Sequence, residues 1–333
     1  METALNSRCN SDYGGRQIDF HWGIFDRTRK LSEEQIKLVT DVARIPRFTN
    51  ETVEVRRQAN ILMFTVAANT GRILRDYMMV ESGMQQQAVG LVCAALGIGL
   101  LFNNLGPDGT PLSKTEFGTV RILLDAMNPS YANSFWSDSV PANRKPWLPG
   151  NLKEPDRKGS TPLLHALCAL ETSNHGSRRL SEEAISQLFW AARGRTPHLY
   201  KSKPWGMTIP FWTDRFEITN VYLISEGKLF KYVNWDKGRP THRLAKLTAI
   251  DQKSFGRLAQ SFPSTEQFIV VGKNDPYNRA LWEVGYQLLN LLVQAKVLDL
   301  RYQAILLDGS HKDLFDGLPI LDPIAVLALQ DVS

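Results

Sequence analysis

Cysteine is nearly absent from this sequence, with only three among 333 residues. Cys9, Cys93 and Cys168 lie far apart and form no CxxC motif. An odd number of widely spaced cysteines argues against a disulfide framework and against a structural zinc site. Cysteine usage therefore favours a reducing compartment.

Long hydrophobic runs are also lacking. The longest apolar stretch, Ala88–Phe102, contains three glycines and is shorter than the roughly 20 residues needed to span a bilayer. The polar N-terminal residues have no apolar core of the kind found in a secretory signal. We expect a cytoplasmic protein that does not enter a membrane.

Strong charge and known catalytic motifs are missing as well. The 39 basic and 34 acidic residues leave a net charge of +5 with no concentrated basic stripe, which argues against nucleic-acid binding. The six histidines are dispersed, so we expect no metal site. No GxSxG, Walker or Rossmann motif is present, and the catalytic residues are unknown.

The sequence does contain an internal repeat. LSEEQIKLVTDVAR at 31–44 returns as LSEEAISQLFWAAR at 180–193, and the ESGMQQ segment that begins at Glu81 is echoed by EVGYQL from Glu283. Two pairs in the same order indicate the duplication of a whole domain. We therefore expect a chain that carries its own dimer partner.

The pattern of helices and strands predicts an α+β fold. We expect a flexible leader at 1–20, a truncated first half at 21–127, a linker rich in Pro, Ser, Asn and Gly at 128–161, and a second half at 162–333. Two long helices are expected, one from about Glu81 and one over 279–298, with Glu81 and Glu283 near their starts, where a carboxylate favours the helix dipole. A hairpin with a turn at Glu226–Gly227 is expected in the second half.

Several phrases together resemble the FMN-dependent nitroreductase family and, within it, the SagB-type dehydrogenases. They are the helix LSEEAISQLFWAARGRTPH, the Thr-x-Pro segment at 208–210, the hairpin EITNVYLISEGKLFKYVNW, and the two core helices that begin ESGMQQ and WEVGYQ. The resemblance covers most of residues 25–105 and 180–329. It implies two nitroreductase-like halves that form an intrachain pseudo-dimer, with FMN between them.

The resemblance assigns the FMN phosphate to cations before the first helix. In the first half these are Arg27 and Arg29, within the segment DRTRK. A helix start attracts anions, but these arginines are also explained as a solvated charge run. Both interpretations remain open at this point.

The resemblance assigns the flavin ring to the segment around the Thr-x-Pro motif. Its residues here are Thr208, Pro210, Phe211 and Trp212, with phenylalanine where the family has serine. The aromatic side chains could stack on a flavin, or they could fill the core or an emptied pocket.

The resemblance places the flavin edge against the loop that follows the first core helix. The residues concerned are Gly97, Gly99, Phe102, Asn103 and Asn104. Glycine suits a close backbone approach because it has no Cβ. The glycines are equally explained as a helix C-cap.

The two halves depart from the family pattern in complementary ways, which predicts one composite FMN site. The activity implied is ping-pong hydride transfer to a small molecule or a modified peptide, with a nicotinamide among the candidate donors. Further oligomerisation of the pseudo-dimer is left open. The alternative is a flavin-free scaffold that binds a peptide or partner protein.

Overall fold

The structure is a computed structural model that describes residues 28–47, 53–66, 71–103, 119–126, 148–156, 160–171, 176, 180–196, 206–209, 217–262, 267–274 and 278–330. The elements of the first half are α1 (Glu33–Val42), β1 (Glu54–Gln58), β2 (Ile61–Thr65), α2 (Arg72–Leu96), β3 (Ile98–Asn103) and β4 (Thr119–Ala126). Those of the second half are α3 (Leu163–Cys168), α4 (Glu182–Arg193), β5 (Arg195–Thr196), β6 (Gly206–Met207), β7 (Thr219–Ser225), β8 (Lys228–Asp236), β9 (Arg239–Ala249), α5 (Gln252–Ser261), β10 (Gln267–Lys273), α6 (Asn278–Val297), β11 (Arg301–Leu306), α7 (Gly309–Lys312) and β12 (Pro323–Gln330).

The strands form two larger antiparallel sheets and one short ribbon. The first sheet has the order β1-β2-β4-β3, the second has the order β11-β12-β10-β7-β8-β9, and β5 pairs with β6. Helices pack between and around these sheets. The predicted α+β class is therefore confirmed.

The two sheets share a strand order. β1-β2-β4-β3 in the first half corresponds to β7-β10-β12-β11 in the second, and in both halves a long helix joins the second strand of the order to the fourth. The second half differs because β8, β9 and α5 intervene between β7 and β10, where the first half has only a short turn.

The long helices α2 and α6 contact each other through matching glycines. A Cβ added at Gly83 would lie 2.3 Å from the carbonyl oxygen of Trp282, and one added at Gly285 would lie 2.1 Å from that of Val80. Val80 and Trp282 each stand three residues before the glycine of their own helix. Reciprocal contact of equivalent residues is the pattern that a twofold axis produces.

The second sheet is covered on both faces. One face packs against α2 and α6 through side chains such as Leu223 and Ile269. The opposite face packs against α5 through Leu258 and Phe262. Cover on both faces explains why β7 and β12 are buried almost throughout, whereas β4 alternates between buried and half-buried positions.

The repeated LSEE phrase begins a helix in both halves. Ser32 caps α1 in a capping box with Gln35, and Ser181 caps α4 by accepting a hydrogen bond from the backbone of Ala184. Serine favours this position because its hydroxyl satisfies an otherwise unpaired backbone N–H. Both helix starts are confirmed.

The predicted role of the two glutamates is wrong. α2 begins at Arg72, nine residues before Glu81, and α6 begins at Asn278, five residues before Glu283. Both carboxylates lie inside their helices, with Glu81 fully buried and Glu283 1% exposed. Neither is a first-turn residue, so neither stabilises a helix start.

Several elements were not predicted. β1 is a strand that the sequence pattern did not indicate, and β3 is an edge strand where a loop was expected. β9 and α5 complete the second sheet and its cover. The predicted hairpin turn is confirmed, because Glu226 and Gly227 have φ of 51° and 64°, as a type I′ turn requires.

The described end of the predicted linker packs along the edge of β9. The backbone N–H of Leu148 donates to Pro240 over 2.8 Å, and the side chain of Asn151 bonds both backbone groups of Leu244. These bonds cover an edge that would otherwise expose unpaired backbone groups. The domain boundaries themselves stay a prediction. No helix in the described ranges is long and apolar enough to cross a membrane.

Candidate functional site

Thr208 lies at the contact between α2 and α6 that contains Gly83, Gly285, Gln87 and Asn290. This contact is called the seam. The backbone N–H of Thr208 donates to Gly194 over 3.0 Å. Its carbonyl oxygen accepts hydrogen bonds from Gln87 of α2, over 3.3 Å, and from Asn290 of α6, over 3.2 Å. The residue is fully buried. Helices from both halves therefore hold the start of the Thr-x-Pro segment.

An amide pair links the helices at this point. Gln87 Nε2 donates to Asn290 Oδ1 over 2.7 Å, and Asn290 Nδ2 also donates to the carbonyl of Ala191 at the end of α4. Both amides are fully buried. Buried amides with several partners fix the relative position of their elements, because a displacement would leave polar groups unsatisfied.

A buried ion pair lies beside the amides. Arg193 at the end of α4 contacts Glu283 of α6, with side chains 8% and 1% exposed. Thr219 donates to the same Glu283 oxygen over 2.6 Å and accepts from Gln287 over 2.7 Å. Burial opposes the charge of Arg193, but Glu283 offsets this effect and the pKa of Arg193 is raised.

A second arginine follows two residues later in the ribbon. Arg195 is half-buried, and its guanidinium carbon lies 4.8 Å from the centroid of the Trp235 ring. Burial, together with the charge of Arg193, lowers the pKa of Arg195 to about 10. The guanidinium nevertheless stays protonated at neutral pH.

The turns that follow the two long helices have the same conformation but different residues. Gly97 ends α2 with φ of 67°, and Asp299 follows α6 with φ of 56°. Glycine adopts this left-handed conformation without steric cost, and aspartate is among the few other residues that tolerate it. A Cβ added at Gly97 would meet no atom of the described residues within 4 Å.

Backbone packs closely beside the turn of the second half. A Cβ added at Gly176 would lie 2.1 Å from the carbonyl carbon of Leu300 and 2.4 Å from the nitrogen of Arg301. The space next to Leu300 is therefore filled by the chain itself. The residue that follows each turn, Ile98 or Leu300, is buried in both halves, and the turns differ in that Asp299 carries an exposed carboxylate where the first half has glycine.

The other predicted site residues have separate outcomes. Arg29 is exposed and precedes α1. Gly99, Phe102 and Asn103 lie in strand β3 and not in a loop, which corrects the prediction for that segment. The remaining predicted residues lie outside the described residues: Arg27, Asn104, Pro210, Phe211 and Trp212.

The polar residues of the seam, among them Asn290 and Glu283, were not predicted as site residues. Asn290 interrupts the apolar run LLNLLV, and Glu283 stands within LWEVGY. A single polar residue in an apolar helix is a usable signal for a buried partner. The identity of that partner, however, is not readable from the helix alone.

Comparison with known proteins relates this geometry to one fold. No protein-family model matches the sequence, and no curated protein matches it. A solved structure from Anabaena variabilis ATCC 29413, assigned as a nitroreductase, is similar over 82% of this chain and 69% of its own, with a TM-score of 0.50 and 10% identity.

A second solved structure is from Ralstonia eutropha JMP134 and is also assigned as a nitroreductase. It has a TM-score of 0.38 and 17% identity, over 55% of this chain and 88% of its own. The similarity to the Anabaena structure spans both halves, since it covers 82% of this chain. The chain described here has a mixed α+β fold similar to that of nitroreductases.

Proposed function

We propose that this protein is an FMN-dependent oxidoreductase of the nitroreductase type, close to the SagB-like dehydrogenases. In this proposal, two duplicated halves form an intrachain pseudo-dimer that holds one flavin at the seam. The shared strand order and the reciprocal contact of Gly83 with Gly285 support the duplication. The likeness to a nitroreductase structure supports the fold only.

The asymmetry of the two turns is the observation that carries the single-site proposal. The turn at Gly97 has no side chain, and none of the described residues lies where a Cβ would be. The matching turn carries the carboxylate of Asp299, and Gly176 fills the space beside Leu300. A flavin edge fits a turn without a side chain, whereas the carboxylate of Asp299 opposes the electron-rich flavin edge and phosphate by its charge.

The residues present fit FMN in part. Gly97 offers a backbone surface without a Cβ, and Thr208 is fixed at the seam by Gln87 and Asn290. Arg29, with Arg27, would hold the phosphate as a cation, since guanidinium groups match phosphate geometry. FMN, when bound, supplies hydride transfer.

The buried polar groups of the seam would act by positioning. Arg193 and Glu283 tie the end of α4 to α6, so the ribbon that leads to Thr208 starts from a fixed point. The proposal includes a small molecule or a modified peptide as substrate and a nicotinamide as electron donor. Further association of the pseudo-dimer is compatible with it.

Exchanging the residues of the two turns tests this proposal. Gly97→Asp puts into the first half the residue that the second half already carries in the same conformation, so the variant is expected to fold. The carboxylate should weaken FMN binding at least about tenfold, or about 1.4 kcal/mol. Titration of purified protein by flavin fluorescence gives the Kd and the stoichiometry.

Asp299→Gly is the matched control. It removes the carboxylate from the second turn but leaves Gly176 against Leu300. We expect one FMN per chain and an unchanged Kd. Two FMN per chain in the unmodified protein, or equal binding by Gly97→Asp, would contradict the single-site proposal.

A flavin-free scaffold is the second candidate function, and one observation favours it. The capping box at the start of α1 satisfies the backbone N–H groups of Ser32 and Gln35, and Glu33 and Glu34 occupy its first turn. Carboxylates at this place oppose a phosphate. A purified protein that is colourless, releases no FMN on denaturation and ignores added FMN would support the scaffold.

A further inference from the structure

Three cations and two carboxylates surround the end of α4. Arg193 contacts Glu283, and Lys231 pairs with Glu217 over 2.9 Å. Within the described part of the chain, Arg195 forms no ion pair with either carboxylate. The charge of Glu217 partly offsets the lowering of the Arg195 pKa, but no carboxylate of the described residues is in contact with the Arg195 guanidinium.

The immediate neighbours of Arg195 do not replace a counter-ion. Trp235 offers its ring at 4.8 Å, an interaction worth about 0.5–2 kcal/mol. Burial raises the pKa of Tyr232, so its hydroxyl stays neutral, and it contacts His242 over 2.7 Å. Arg195 Nε is buried and has no acceptor among the described residues.

We propose that Arg195 binds the anionic group of a small-molecule ligand, a carboxylate or a phosphate. A guanidinium presents five N–H donors in a planar fork that matches such groups. A partly desolvated cation without a counter-ion gains more from an incoming anion than a solvated one does, because water screens the interaction less.

The position of Arg195 in the β5–β6 ribbon places this anion close to Thr208. Arg195 pairs with Met207 in the β5–β6 ribbon, and Thr208 follows directly. An anion at Arg195 would thus lie near Thr208, whose carbonyl oxygen accepts hydrogen bonds from both α2 and α6. The anion could be the phosphate of the flavin proposed above or a charged group of a substrate, and binding at Arg195 does not itself require the flavin.

The test compares Arg195→Met with the matched control Arg243→Met. Like Arg195, Arg243 is a half-buried arginine. It lies in β9 of the second sheet and has its own partner, Asp236, at 3.3 Å. Both variants lose one positive charge and gain the same side chain. Arg195→Lys keeps the charge without the fork, which keeps the test informative if Arg195→Met fails to fold.

Thermal unfolding is measured with inorganic phosphate and with benzoate, each against sodium chloride at equal ionic strength. A bound anion stabilises the folded state by mass action. We expect one or both anions to raise the Tm of the unmodified protein and of Arg243→Met, and to have no effect on Arg195→Met. Arg195→Lys should require several-fold more anion for the same shift.

Titrations with FMN and with riboflavin distinguish the two sources of the anion. If Arg195 receives the cofactor phosphate, Arg195→Met weakens FMN binding about tenfold or more and leaves riboflavin binding unchanged. If it receives a substrate group, flavin binding is unchanged while the anion effect on Tm is lost. Either result supports the proposal.

The proposal is overturned if neither anion raises the Tm of the unmodified protein and Arg195→Met binds FMN as the unmodified protein does. A protein that binds no flavin at all would end the flavin proposal alone. In that case the phosphate and benzoate measurements still decide the role of Arg195.

Discussion

Replacing Gly285 with alanine is expected to destabilise the protein by at least about 3 kcal/mol, or to prevent folding. The new Cβ would lie 2.1 Å from the carbonyl oxygen of Val80 and 2.8 Å from the Cα of Gly83. Both are backbone atoms, so no rotamer change relieves the clash. The helices would have to move apart along the seam.

Separation of the helices has further consequences. Gln87 and Asn290 bridge α2 and α6 over 2.7 Å, and both are buried. Moving the helices apart would lengthen this bond and leave two amides without partners, which adds to the steric cost. Urea unfolding followed by tryptophan fluorescence gives the free energy of unfolding.

Gly256→Ala is the control for this substitution. Gly256 lies in helix α5, and a Cβ there would meet no atom within 4 Å in the part of the chain that the structure describes. Alanine is the better helix former, so this variant is expected to be more stable by about 0.5–1 kcal/mol. A loss of less than 1 kcal/mol in Gly285→Ala would mean that α2 and α6 do not approach as closely as described.

Replacing Glu283 with leucine is expected to cost about 3–5 kcal/mol in the free energy of unfolding. Arg193 would keep its charge, with a side chain that is only 8% exposed and no carboxylate in contact. Thr219 would also lose the acceptor for its hydroxyl. Chemical denaturation of the single variant measures this loss directly.

A double variant shows whether the loss of stability comes from the unpaired charge of Arg193 or from the substitution at position 283 itself. The double variant Arg193→Met with Glu283→Leu removes both charges, so it should recover most of the lost stability. Glu226→Ala breaks the exposed pair with Lys228, whose partners are 77% and 44% exposed, and should change stability by no more than about 0.5 kcal/mol. A double variant no more stable than Glu283→Leu would show that the loss does not come from the unpaired arginine.

Local sequence predicted those elements whose determinants are local. Glu226–Gly227 forms the expected hairpin turn, and Ser32 and Ser181 of the repeated phrase cap their helices. Each depends on contacts within a few residues. The apolar patterns of β2 and β4 are local in the same sense, because they can be read along consecutive residues.

The errors occurred where distant contacts override local preference. β1 is a strand although its residues are mostly polar, since pairing with β2 satisfies its backbone. β3 was expected to be a loop because of Gly97 and Gly99, but pairing with β4 makes it an edge strand. Glu283 looked like a first-turn residue and is instead a partner of Arg193.

The features of the candidate site are likewise of two kinds, those set by near neighbours along the chain and those set by distant contacts. The sequence by itself determined the repeat, the α+β class, the helix caps and the glycine turn at Gly97, because these depend on near neighbours along the chain. Only the tertiary structure decided which polar groups meet at the seam, since Arg193 and Glu283 are 90 residues apart and Gln87 and Asn290 are 203 residues apart. Burial gives those contacts their strength, and burial depends on how the whole chain packs.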